Sequence, residues 1–435
     1  MPSLTAIVTF ALLASIPQLP PFEPNSEFRA SEILPLQQVR SDDHVVNESV
    51  SNDGFMNHYV IETTFGNFEA EGDLQLARVI QEAHALAELD RVSTSGLYID
   101  AAKNIVLAPV AAVTRIVEAP VETVKGIPSG VARKFRSLGR SVKRGAKKVA
   151  ESVEDDEPEE GVATDESVAS GESGDADETG AEAEESENKT SQYAKKWFGV
   201  TSSQRRWAQK LGVDPYSGNT VMQEKMAAVA KVDATANFAA KLVTPDLGAI
   251  GYVVDVSNLV WSLDGEELRD YNLEQLEEAG ISKAIIEDFL DYPAFSPTQQ
   301  TVITQAMLQM QDIDGLGEVL RLPDWVANQT EAWFYTDTIQ LMARFSESMQ
   351  RPRAIVGISK VPALLTDSDE LIYVVPVDYL TWNKNLAGFI KDVMAPPVEA
   401  GEGGRATWLS GMTTQTAAVG LTTLGWSIKT SISQE

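Results

Sequence analysis

Apolar positions change their spacing several times along the chain, and each change marks an element. Tyr59 to Phe65 and Phe68 to Gly72 flank Gly66-Asn67, a composition that predicts two short strands around a turn. From Asp73 the spacing becomes helical. Leu74, Ala77, Ile80, Ala83 and Ala87 recur on one face, widened by Leu76, Val79, Leu86 and Leu89, which predicts a helix capped by Asp73 and running to about Val92.

The same reading predicts helices over 193–211, from Asn219 or Thr220 to about Leu242, and over 266–279, 281–291, 298–311 and 324–348. Leu247 to Trp261 is apolar without a deciding period, so helix and buried strand both stay open. Ala354 to Ile358, Leu371 to Leu380 with Pro376 inside it, and Ala406 to Leu409 have strand composition. Thr413 or Thr414 caps a helix ended by Gly425, and Trp426 to Ile432 alternates as a final strand.

Two stretches have no such pattern. Residues 17–56 place Pro, Ser, Asp and Asn at close intervals and read as a flexible tether. Glu151 to Lys189 has almost no large apolar residue, and backbone ordering costs about 1–2 kcal/mol per residue, so it reads as a disordered acidic linker. The predicted fold class is therefore mainly α with a small C-terminal α+β module, the N-terminal helical part being separated from it by that linker. The segments are 1–16 (signal or anchor), 17–56 (tether), 57–150 (hairpin and helices), 151–190 (linker), 191–349 (helical domain) and 350–435 (α+β module).

Between hairpin and linker lies a cationic segment. Ala108 to Ile116 and Ala119 to Ile127 share the pattern A-P-V-x-x-V-x-x-I, offset by three helical turns, with prolines placed where a helix can restart. From Val131 to Val149, Phe135, Leu138, Val142, Ala146 and Val149 share one side of a helical wheel. Arg133, Arg136, Arg140, Lys143, Arg144 and Lys147 share the other, which describes a basic amphipathic helix. Gly139 and Gly145 weaken it by roughly 1 kcal/mol each.

Charge sharpens this contrast. The formal net charge is −29, yet Lys125 to Lys148 holds nine basic residues and no acidic one, and Glu151 to Glu187 holds 17 acidic residues and no basic one. An acidic surface disfavours non-specific contact with nucleic acid. The six basic residues named above are the candidate contacts to an anionic membrane surface or to an acidic protein surface, this chain's own C-terminal part included.

Enzyme chemistry has little support. The chain has no cysteine, which excludes disulfides, thiolate catalysis and cysteine metal sites. His44, His58 and His84 match no ligand spacing, and Gly401 to Gly404 lacks the lysine and strand-to-helix context of a phosphate loop. No cofactor is expected. Gly280-Ile281-Ser282 reads as a plain helix–helix turn. Asp367, Asp369, Glu370, Asp378 and Glu399 could serve a hydrolase if brought together, and Tyr373, Tyr379 and Trp382 could line a pocket.

Leu4 to Ile16 is an apolar run of signal-peptide length, although no Lys or Arg precedes it. The leading expectation is a non-catalytic peripheral or scaffold protein of the cell envelope, on the extracytoplasmic side, with a cytoplasmic location as the alternative. The competing expectation is a hydrolase or ligand-binding module in residues 350–435.

Overall fold

Polar stretches without a period open the described chain, and they form sheet. In this computed structural model, residues 18–103, 199–236, 254–321, 326–348, 351–357, 361–392 and 404–430 are described. β1 (Glu27–Arg29), β2 (His44–Val46) and β3 (Ser49–Asn52) are short, with α1 (Ala30–Ile33) and α2 (Leu36–Val39) between the first two. β4 (Asn57–Thr63) organises them. Its first residues pair with β3 and its last with β2, while β5 (Gly66–Glu71) pairs along its other edge. One edge shared by two partners curls this antiparallel sheet into a half barrel. The pairing of Thr63 with Gly66 places Thr64 and Phe65 in the turn, two positions before the Gly66-Asn67 centre read from sequence.

α3 (Asp73–Ser93) begins directly after β5 and covers the sheet. Leu76 and Ile80 join Val46, Val50, Tyr59, Ile61 and Ala70 in one apolar cluster. The far half of α3 serves a second layer, in which Leu86, Leu89 and Val92 pack with α5 (Ser202–Leu211) and α6 (Thr220–Ala236); α4 (Gly96–Lys103) adds Tyr98 and Ala102.

Next come α7 (Val254–Ser262), α8 (Gly265–Glu278), α9 (Lys283–Leu290), α10 (Pro297–Gln309), a 3-10 turn over Leu316–Leu320 and α11 (Gln329–Ser348). Local chemistry fixes three of the helix starts. Thr201 with Gln204, Asp264 with Glu267 and Ser296 with Gln299 each form a reciprocal capping box, which satisfies backbone N–H groups that a first turn leaves open. The undecided stretch before Trp261 is helical over its described part.

The C-terminal part is a mixed sheet of β6 (Ala354–Val356), β7 (Ala363–Leu365), β8 (Leu371–Val375), β10 (Arg405–Leu409) and β12 (Trp426–Thr430), in the order β12-β10-β8-β7-β6. β10 runs parallel to both β8 and β12, whereas β7 and β6 are antiparallel. The two parallel connections carry α12 (Lys384–Asp392) and α13 (Gln415–Thr423), and β9 (Tyr379–Leu380) pairs with β11 (Met412–Thr413). β8 is buried throughout, as expected of a central strand covered on both faces. Gly411 is required beside it, because a Cβ there would lie 2.0 Å from the Asp378 carbonyl oxygen.

A mainly α fold with a small α+β module does not hold. About half the described chain is helical, with 13 α-helices and 12 strands among the described residues. The N-terminal part is a sheet with a helix across it. The reading falls short because β1, β2 and β3 span only three or four residues each, too few to show an alternating period. β7 escapes for the same reason. The apolar N-terminal run, the two A-P-V segments, the basic helix and the acidic stretch all lie outside the described residues.

The half barrel and the mixed sheet meet directly. Phe55 and Met56 belong to the apolar cluster of Trp382, Phe389 and Trp408. Residues 18–26 are clamped to the same region. Trp382 Nε1 donates to the Pro20 carbonyl at 2.9 Å, its backbone N–H donates to Glu23 Oε2 at 3.0 Å, and Thr414 Oγ1 donates to the same oxygen at 2.6 Å.

Candidate functional site

The polar turn Asp214-Pro-Tyr-Ser-Gly-Asn219 separates α5 from α6 and faces the hairpin and α3 across a cavity of about 510 Å³. Two residues of α3, Arg78 and Glu82, stand four apart and therefore on the same side of the helix. The hairpin adds Phe65, Phe68 and Glu69, and the first turn of α11 adds Gln329 and Trp333.

Glu82, Asp214 and Arg78 are each held by specific partners. Glu82 accepts hydrogen bonds from the Ser217 hydroxyl and, at 2.9 Å, from Asn219 Nδ2. Asp214 Oδ1 accepts from Thr298 Oγ1 at 2.5 Å and from the Tyr216 backbone N–H at 2.8 Å. Arg78 is engaged on the other side, donating to Asp337 at 2.5 Å with its guanidinium 4.0 Å from the centre of the Trp333 ring. Gly218 sits against Gln329, whose side-chain oxygen would lie 1.7 Å from an added Cβ.

The electrostatics follow from this placement. Burial pushes the Asp214 carboxyl up to about 6, opposed by its two hydrogen bonds and by Arg78 and reinforced by Glu82. Burial raises Glu82 as well, against the pull of Ser217, Asn219 and Arg78. A carboxyl that titrates near neutrality can exchange a proton or accept one from a ligand. The lining brings carboxylates, hydroxyls and one guanidinium together beside the apolar Phe65, Phe68 and Val79.

The residues singled out from sequence have other places. Arg133, Arg136, Arg140, Lys143, Arg144 and Lys147 lie outside the described residues. His44 contacts the Gln38 carbonyl at 2.9 Å and the Ser41 hydroxyl at 2.8 Å, and His84 contacts Asp43 at 2.9 Å. Among the described residues no group of three or more metal-ligating side chains is arranged to hold an ion. Of the acidic set, Glu399 lies outside the described residues, and Asp369 and Asp378 have separate partners. Asp369 occupies a left-handed turn paired with Arg353, whereas Asp378 accepts the backbone N–H groups of Asn57 and Asp73. Tyr373 and Trp382 are core residues.

One faint signal for the cavity was legible in the sequence, namely Arg78 and Glu82 at helical spacing in α3, but that helix carries Asp73, Glu88, Asp90 and Arg91 as well. The partners of Arg78 and Glu82 are more than a hundred residues away, where no local pattern reaches them. No protein-family model, no curated protein and no solved structure matches the chain. Among the described residues no helix is long and apolar enough to cross a membrane.

Proposed function

We propose that the protein is a non-catalytic peripheral scaffold that presents its basic segment to an anionic membrane surface or to an acidic protein surface. One structural observation supports this reading. Tyr98 and Ala102 of α4, just before residue 104, and Trp207 and Ala208 of α5, just after residue 198, pack into the same apolar layer with α6. The chain therefore departs and returns at one side of a folded body, and the stretch between those points contains the nine basic residues followed by the 17 acidic ones. Near an anionic bilayer each Lys or Arg contributes about 1 kcal/mol, enough in sum for reversible attachment. The apolar N-terminal run fits placement at the cell envelope.

Vesicle flotation of the full chain tests it. Recovery with vesicles rich in phosphatidylserine or phosphatidylglycerol, but not with phosphatidylcholine, is the expected result. A variant carrying Arg133, Arg136, Arg140, Lys143, Arg144 and Lys147 all as Gln should lose that recovery. Equal recovery of the two proteins overturns the membrane form of the proposal.

The Asp214 cavity favours a second reading, a ligand-binding module. Its size is that of pockets for small organic molecules, and its lining combines polar groups with the apolar surface of Phe65, Phe68 and Val79. This places binding between the hairpin and the helical layer.

A further inference from the structure

We propose that the Asp214 cavity binds a small organic cation, one with a primary ammonium or guanidinium group on an apolar stem. This rests on the ligand-binding reading of the cavity and names the class of its ligand.

The charge balance of the lining comes first. Asp214, Glu82 and Glu69 face the cavity with Arg78 as their cationic neighbour, and Arg78 is already paired with Asp337. Lys225, with Nζ 4.7 Å from the centre of the Phe65 ring, is committed to Asp90 at 2.7 Å. The lining thus carries more negative than positive charge, which repels an anion and leaves a cation favoured.

Hydrogen bonding points the same way. Both oxygens of Glu82 accept bonds from the turn. Asp214 differs, since Oδ1 takes both of its bonds and, among the described residues, Oδ2 accepts none. Asp214 is half-buried and Oδ2 is not among the buried atoms that lack a partner, so solvent reaches this oxygen and a charged N–H can take the place of that water. One open oxygen is too few for a divalent metal ion such as Ca²⁺, which takes about six to eight. Phe65, Phe68, Val79 and Val221 supply the apolar surface along which a stem can lie.

Titration calorimetry of the full chain with four probes reads the proposal. Phenethylamine and agmatine supply an ammonium and a guanidinium group, while 2-phenylethanol and phenylacetate supply neutral and anionic shapes of similar size. The two cations should bind and the other two should not. Asp214→Asn keeps an acceptor for Thr298 and Tyr216 while removing the charge, and should weaken cation binding about tenfold or more. Val221→Trp fills the cavity from α6 and leaves the Asp214 carboxyl in the chain, and should abolish binding. Circular dichroism confirms that each variant is folded. Binding of 2-phenylethanol or phenylacetate that Val221→Trp abolishes would overturn the cation class and leave a ligand pocket standing. Cation affinity unchanged in Asp214→Asn overturns the role given to that oxygen, and no binding by any probe overturns the proposal and the ligand-binding reading together.

Discussion

Two partly buried carboxylates, Asp378 and Asp214, look alike by charge and differ in what completes them. Both are raised above the usual carboxylate range, first by burial and further by a neighbouring acid, Asp73 for one and Glu82 for the other. Asp378 is satisfied on both oxygens, with Asn57 N–H donating to Oδ2 at 2.8 Å and Asp73 N–H donating to Oδ1 at 3.1 Å. It ties the start of β4 and the start of α3 to the mixed sheet. Asp214 lines a cavity and, among the described residues, accepts hydrogen bonds on Oδ1 alone. A perturbed titration therefore does not separate a structural acid from a site-forming one, and hydrogen-bond completeness does.

The largest expected effect breaks the clasp. Asp378→Ala removes the acceptor of one half-buried N–H group, that of Asn57, and one exposed N–H group, that of Asp73, and a hydrogen bond contributes about 0.5–1.5 kcal/mol net. The loss should be about 2 kcal/mol by urea denaturation, and an unchanged midpoint would place Asp378 outside the set of structural acids. Tyr59→Phe tests the next link. The Tyr59 hydroxyl donates to Asp73 Oδ1 at 2.5 Å, so the expected cost is about 1.5 kcal/mol in the same measurement.

The smallest effect sharpens the other side of the comparison. The folded-state value of Asp214, about 6, lies above its ordinary 3.8, so the native chain takes up this proton before the unfolded chain does. Stability linked to Asp214 is therefore gained as pH falls through about 6 and is lost again as pH rises through it. Between about pH 7 and pH 5 the gain is about 1 kcal/mol, and Asp214→Asn should remove that share of the slope. Glu82 and Asp378 are raised too and contribute with the same sign, so the informative quantity is the difference between wild type and variant. Identical slopes would mean that Asp214 does not titrate in this window.

What the sequence determined by itself is local. The α3 helix, which starts at Asp73 with Gly72 rather than Asp73 in the cap position, the capping boxes at Thr201, Asp264 and Ser296, the Thr414 cap and the continuous apolar run of β8 are all set by residues within a few positions of one another. Their backbone hydrogen bonds close over short loops, so spacing and composition suffice to place them. Only the tertiary structure decided the rest. Two strands with no readable period, β2 and β3, form because β4 offers them an edge, and β1 pairs in turn with β3. Asp378 meets Asn57 and Asp73 across 321 and 305 residues, and Glu82 meets Ser217 across 135. Contacts at such separations depend on how whole layers pack, and no window along the chain contains both partners.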